Sequence, residues 1–393
     1  MLSLRRRLTN ICSIVACLAL LYFIVSGNLV AAEKNMLRFY TGSYSTAEEE
    51  GIKCFGFDPE TGSVEYLSGT SGIENPSFLA LHSSGKYLYA VSETDRKEGN
   101  LTGGVASFRI GESGNLRMIN EVTSGGSAPC HIALDRTEKL LMAANYNGGN
   151  ISAFPILEGG GLGRMSSFHQ HSGSSVNPSR QKEPHAHSIN PSPDNRFALV
   201  ADLGLDKVFV YRLDPAEGTM ERNSPAFARV SPGSGPRHLA FHPNGSVVYV
   251  INEMASTITV FRYQPEEGAL LEISTESTLP KDYEGRNSTA EVVVEPGGNY
   301  LYGSNRGHDS IAVFRIDQES GQLSLVQNRS TEGRTPRNFC LSPDGKFLLA
   351  ANQRSDNIVV FPIETESGKL LEPVDEVSLE SPVCIRFVPE GNW

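Results

Sequence analysis

The sequence predicts an all-β, seven-bladed β-propeller of four-stranded blades over residues 33–393, preceded by a leader at residues 1–32. Three observations predict it. A Pro-initiated hairpin unit recurs along the chain, a strand of Ile-x-Val-Phe character recurs seven times, and the chain ends carry complementary halves of one unit.

The hairpin units are read first, because a period of this length decides the whole architecture. Pro76–Ser92, Pro129–Asn145, Pro236–Asn252 and Pro336–Asn352 align without gaps, Thr289–Asn305 lacks only the leading proline, and Pro184–Asp202 is read as carrying two extra residues before Asp194. Each reads as an innermost strand, a Pro-Asp-Gly type turn and an alternating second strand. Third strands follow at 52–57, 105–110, 151–156, 208–213, 258–263, 311–316 and 358–363. A Gly-x-Leu step, as at Gly321 to Leu323 and Gly368 to Leu370, opens an outer strand. Leu37–Tyr44 is a second strand lacking a first, and Pro382–Phe387 is a first strand lacking a second. Pairing these termini in one blade would close the ring and leave no sheet edge there.

The leader reads as a secretory signal. Arg5, Arg6 and Arg7 precede an apolar run from Ile11 to Val25, and Val30-Ala31-Ala32 offers a small-residue cleavage site. Cleavage after Ala32 is expected, with lipid attachment at Cys17 and an uncleaved anchor as the rivals. All three place the body outside the cytoplasm, periplasmic or extracellular, with membrane contact only through the leader if it is not cleaved.

Losing those three arginines from 34 basic residues leaves 31 against 45 acidic ones, a net charge of −14. That excludes nucleic acid as an expected partner. The remaining cysteines, Cys54, Cys130, Cys340 and Cys384, have neither disulfide-scaffold nor zinc-ribbon spacing. No Gly-x-Ser-x-Gly elbow, phosphate loop or dinucleotide fingerprint is present, and no cofactor is expected.

Candidate site residues are those that break the repeat near the innermost strands. One residue past the leading proline stand Ser77, Cys130, Ala186, Arg237, Ala290, Arg337 and Val383; the next position reads Phe78, His131, His187, His238, Glu291, Asn338 and Cys384. A second ring, Ser92, Asn145, Asp202, Asn252, Asn305 and Asn352, is expected to cap turns. Glu93, Tyr146, Leu203, Glu253, Arg306 and Gln353 follow it directly. His169, His171, His185 and His187 form two His-x-His pairs that invite a metal reading, but no carboxylate or cysteine is usefully spaced, so no metal is expected.

These stretches carry a resemblance. Gly173–Ser188, Ala201–Val208, Gly235–Pro243, Ser304–Ile311 and Pro336–Phe339, within similarity spanning residues 37–388, resemble the propeller lactonases related to bacterial 6-phosphogluconolactonase and fungal carboxymuconate lactonizing enzyme. The resemblance implies a site at one mouth of the channel using a histidine (His185 or His187), Arg237, Glu253 and a further arginine, Arg306. On that basis Glu253 is expected as general base or proton shuttle, with Arg237 and His187 on the oxyanion or a substrate carboxylate. Arg306, His185, His131, His238, Glu291 and Arg337 are expected to contact the substrate, a small lactone or acidic molecule. A lactonizing cycloisomerase acting on an unsaturated diacid and a non-enzymatic exported binding propeller are the alternatives.

Overall fold

The computed structural model describes residues 36–95 and 103–389. The leader expected at residues 1–32, and with it the cleavage site, lies outside the described residues.

From Leu37 onward the chain forms seven four-stranded antiparallel sheets. Blade 1 is the split one: Pro382–Phe387 lies innermost, followed by Leu37–Ser43, Ile52–Phe57 and Val64–Thr70. Blades 2 to 7 begin with the innermost strands Leu79–Leu81, Pro129–Leu134, Ala186–Pro191, Pro236–Phe241, Ser288–Val294 and Pro336–Leu341. Each innermost strand packs against the next all the way round, blade 1 against both blade 7 and blade 2, so the ring is closed. Terminal pairing does close it as expected, with Phe39 opposite Phe387 and Gly42 opposite Cys384.

The alternation of each second and third strand explains the core. Side chains on its two faces meet the two neighbouring blades, so each apolar cluster straddles a blade junction. Tyr249, Ile251 and Val260 of blade 5 pack with Leu301, Ala312 and Phe314 of blade 6. Tyr302 and Val313 of blade 6 pack with Leu348, Ala350 and Phe361 of blade 7.

Two features position the candidate site residues. The first is a β-bulge near the start of the innermost strand, as between Pro236 and His238 and between Pro336 and Asn338, which leaves Arg237 and Arg337 as the extra residue. The bulge corrects the register read from the sequence in blade 4. Ala186 pairs with Asp202 as Pro236 pairs with Asn252, so the hairpin has no two-residue insertion. His187 therefore occupies the Arg237 position, and Ser188 the place shared by His131, His238, Glu291 and Asn338. Pro184 and His185 belong to the entering loop; the leading proline was a false anchor, because the strand pairing sets the register.

The second feature is the Asn/Asp ring, which joins blades more than it caps turns. Asn145, Asn305 and Asn352 each donate through Nδ2 to the chain leaving the preceding blade, at Ser124 O (3.2 Å), Thr278 O (3.0 Å) and Thr331 O (2.9 Å). In blade 4 a carboxylate–imidazole contact makes the latch: Asp202 Oδ2 lies 2.6 Å from Nδ1 of the buried His171, whose Nε2 lies 2.9 Å from the Tyr211 hydroxyl.

Candidate active site

At one mouth of the channel, the residue after each second strand is fixed by its own backbone. The N–H of Glu253 donates to Gly235 O (2.7 Å), that of Tyr146 to Ala128 O (2.8 Å), that of Gln353 to Thr335 O (2.9 Å) and that of Glu93 to Asn75 O (3.1 Å). Those acceptor residues precede the leading prolines with positive φ: 64° at Gly235, but also 52° at Ala128 and 61° at Thr335, where a side chain makes that conformation costly. The strain is concentrated at the rim that presents the polar ring.

Glu253 is the hub of this mouth. Its Oε2 takes Arg306 Nη2 at 2.9 Å and Arg237 Nε at 3.1 Å, while Oε1 takes Arg180 Nη2 at 2.7 Å. Burial alone would raise its carboxyl pKa, but the guanidinium groups of Arg306 and Arg237 outweigh that and hold it well below the usual carboxylate range. His187 Nε2 stands 3.9 Å from Glu253 Oε2. Burial, reinforced by Arg237, pushes His187 well below the ordinary imidazole value, so it is a neutral ring at neutral pH.

Across the mouth a second carboxylate, Glu93, accepts from the Tyr44 hydroxyl (3.0 Å to Oε2) and from Ser77. Arg337 Nη2 donates to that same tyrosine oxygen at 2.9 Å. Burial raises the Glu93 carboxyl, and Arg337, Ser77 and Tyr44 only partly offset it. The mouth thus holds two carboxylates driven in opposite directions. Beside them opens a cavity of about 580 Å³ lined by Arg286, Arg306, Arg334, Arg337, Gln353 and Arg354.

Beneath the mouth the channel is plugged. Arg237 Nη1 donates to Ala290 O (2.7 Å) and meets His238 Nε2 at 3.1 Å, which leaves the proton of His238 on Nδ1, 2.9 Å from Glu291 Oε1. Asn338 donates to the other Glu291 oxygen. The His131 ring is tilted against Phe78 with ring centroids 4.2 Å apart and lies 5.2 Å from His238.

The structure thus brings Glu253, Arg237, Arg306 and His187 together and sets Arg337 alongside, while His131, His238 and Glu291 sit in the plug below. His185 stands aside, stacked on Tyr146 at 4.5 Å with Nδ1 3.0 Å from Tyr146 O. The two His-x-His pairs do not converge, since His171 is spent on the blade latch and His169 Nε2 lies 2.6 Å from Met220 O. Among the described residues no group of three or more His, Cys, Asp or Glu is arranged to hold a metal ion. Sequence reasoning missed Arg180, which lies in a loop outside any repeat position. It passed over Tyr44 and Glu93 although both follow a second strand as Glu253 does.

A closed ring of seven four-stranded blades with guanidinium groups gathered round a carboxylate at one mouth defines a seven-bladed propeller with a charged mouth. The chain belongs to the family described as "Lactonase, 7-bladed beta-propeller", which matches residues 38–387. It is similar to a 6-phosphogluconolactonase of Bacillus subtilis, 35% identical over 350 residues that cover 89% of this chain and 97% of that protein. It is also similar to a 6-phosphogluconolactonase of Formosa agariphila, 36% identical over 77% of this chain and 85% of that protein. Among solved structures, the periplasmic gluconolactonase of Pseudomonas aeruginosa superposes with a TM-score of 0.85 at 34% identity, covering 90% of this chain and 99% of that one.

Proposed function

We propose that this protein hydrolyses a lactone bearing an acidic substituent, and that the reaction takes place at the Glu253 mouth of the channel. The observation that carries this reading is the ionised Glu253 held by Arg180, Arg237 and Arg306. The relatives named as lactonases support the reaction class. Support for an acidic substituent comes from the arginine-lined cavity that shares Arg306 and Arg337 with the mouth, since guanidinium forks suit carboxylate and phosphate oxygens.

Hydrolysis requires a water deprotonated as it attacks the carbonyl carbon, charge stabilisation on the carbonyl oxygen, and a proton for the departing ring oxygen. Arg237 and the neutral His187 are assigned to the carbonyl oxygen. In the resting mouth Glu253 is a weak base, because three guanidinium groups stabilise its charge. A substrate anion drawing Arg306 and Arg180 toward itself removes part of that stabilisation and strengthens the base as the substrate arrives. Glu253 then takes the water proton as the water oxygen bonds to the carbonyl carbon, and the carbonyl–ring oxygen bond breaks when the resulting tetrahedral oxyanion collapses. Glu253 returns that proton to the departing ring oxygen, acting first as base and then as acid, while Glu93, whose carboxyl is raised by burial, holds Tyr44 and Ser77 on the opposite side of the mouth.

The decisive experiment compares Glu253→Gln with the parent on a panel of lactones with and without phosphate or carboxylate groups. The variant is expected to keep its fold and binding while turnover drops by roughly 10²-fold or more. Full activity in the variant would remove Glu253 from the chemistry, and no hydrolysis of any lactone by the parent would remove the reading itself.

A further inference from the structure

Inward-facing positions recur every second residue along an innermost strand, so the plug formed by Phe78, His131, His238 and Glu291 has a layer below it. Two residues on stand Ala80, Ala133, Asn190, Ala240, Val293, Cys340 and Arg386. The small side chains at Ala80 and Ala133 leave a cavity of about 450 Å³, also lined by Phe78, Arg136, Asn190 and Arg386, that opens at the mouth opposite Glu253.

The polar groups facing this cavity are mismatched with their surroundings. Arg386 lies deep but is still reached by solvent. Its Nη1 donates to Ile385 O at 2.8 Å, and its guanidinium sits 4.6 Å over the Phe78 ring. Among the described residues no carboxylate lies within ion-pairing distance of it. Glu291 acts on it only through space, because its oxygens are committed to His238, Asn338 and the N–H of Val292. Asn190 Nδ2 is buried without any hydrogen-bond partner. The carboxylates lining the same cavity are already satisfied: Glu138 accepts from Ser83 N and Oγ, both at 2.6 Å, and Asp135 accepts from Thr137, Lys139, Leu140 and Asn195. The Arg386 guanidinium is a donor only and lacks a counter-charge, and the Asn190 amide nitrogen lacks an acceptor; such donors are retained where an acceptor comes to them.

We propose that this far mouth is an anion-binding site in which Arg386 and Asn190 hold a small oxyanion, a phosphate or a carboxylate, independently of the Glu253 mouth. The plug keeps the two sites separate, and the inference does not rest on the lactonase reading. The Phe78 face against which Arg386 is stacked holds the guanidinium in place, so a planar or tetrahedral oxyanion meets a preset fork.

Titration calorimetry of the full chain with inorganic phosphate, and separately with acetate, tests the site in the parent, Asn190→Ala, Arg386→Met and Arg306→Ala. The expected result is a site that survives Arg306→Ala and is weakened roughly tenfold or more by Asn190→Ala or Arg386→Met. The tighter of the two probes identifies the preferred anion. Asn190→Ala leaves the charge and the ring packing untouched, so it remains informative if Arg386→Met fails to fold. Binding of both anions unchanged in Asn190→Ala, binding abolished by Arg306→Ala alone, or no binding of either anion to the parent would overturn the proposal.

Discussion

His131, His187 and His238 are buried imidazoles, each pushed well below the ordinary value of 6.5, first by burial and then by nearby cationic or titratable groups. The folded protein keeps them neutral, whereas the unfolded chain protonates its histidines as pH falls through about 6.5. The unfolded state then binds more protons, so stability is expected to fall as pH drops from 7.5 to 5.5. Glu93 and Glu291, raised by burial, act with the opposite sign above their ordinary value of 4.5, so one histidine must be isolated. Denaturant unfolding of His131→Gln across this range should show a shallower pH slope than the parent by up to one proton. An unchanged slope would mean that His131 already titrates normally when folded. At this scale Glu253, Arg237, Arg306 and His187 were legible because each breaks a repeated position with a charged or titratable group. Arg180 was not, since no repeat exists against which a loop residue can stand out.

At the scale of the element, the bulge and the latch decide where those side chains go. A hairpin register follows from strand pairing, which is why a proline two residues early misled the alignment of blade 4 while the Ala186–Asp202 pairing placed His187 beside Glu253. The split blade offers the clearest test. Deleting residues 381–393 removes the buried Val383, Cys384 and Ile385 and exposes the edge of Leu37–Ser43 as well as the flanks of blades 7 and 2. Unpaired sheet edges invite association, so the truncated protein should aggregate or lose its single cooperative unfolding transition. A melting curve matching that of the parent would show that the terminal strand is dispensable for closure.

For the whole molecule, the acidic body and the basic mouth stand in contrast. A net charge of −11 over the full chain repels anions at long range, so the arginine clusters act by local focusing. We propose that the protein works outside the cytoplasm. The basic-then-apolar leader read at residues 1–32 supports this. Intact-mass measurement of the protein purified from cells that export it should show a chain beginning near Glu33. A retained leader or a lipid adduct at Cys17 would contradict that cleavage.

Sequence alone determined the all-β class, the sevenfold repeat, the closing strand pair and most of the mouth, because repetition turns each departure from the pattern into a signal. Tertiary structure alone decided which departures meet. The convergence of three guanidinium groups on Glu253, the pairing of His238 with Glu291 and the placing of Arg386 and Asn190 on one cavity bring together side chains from separate strands and loops. Their distances and burial come from the closed ring, and burial together with the neighbouring guanidinium groups is what turns ordinary carboxylates and imidazoles into groups of altered basicity.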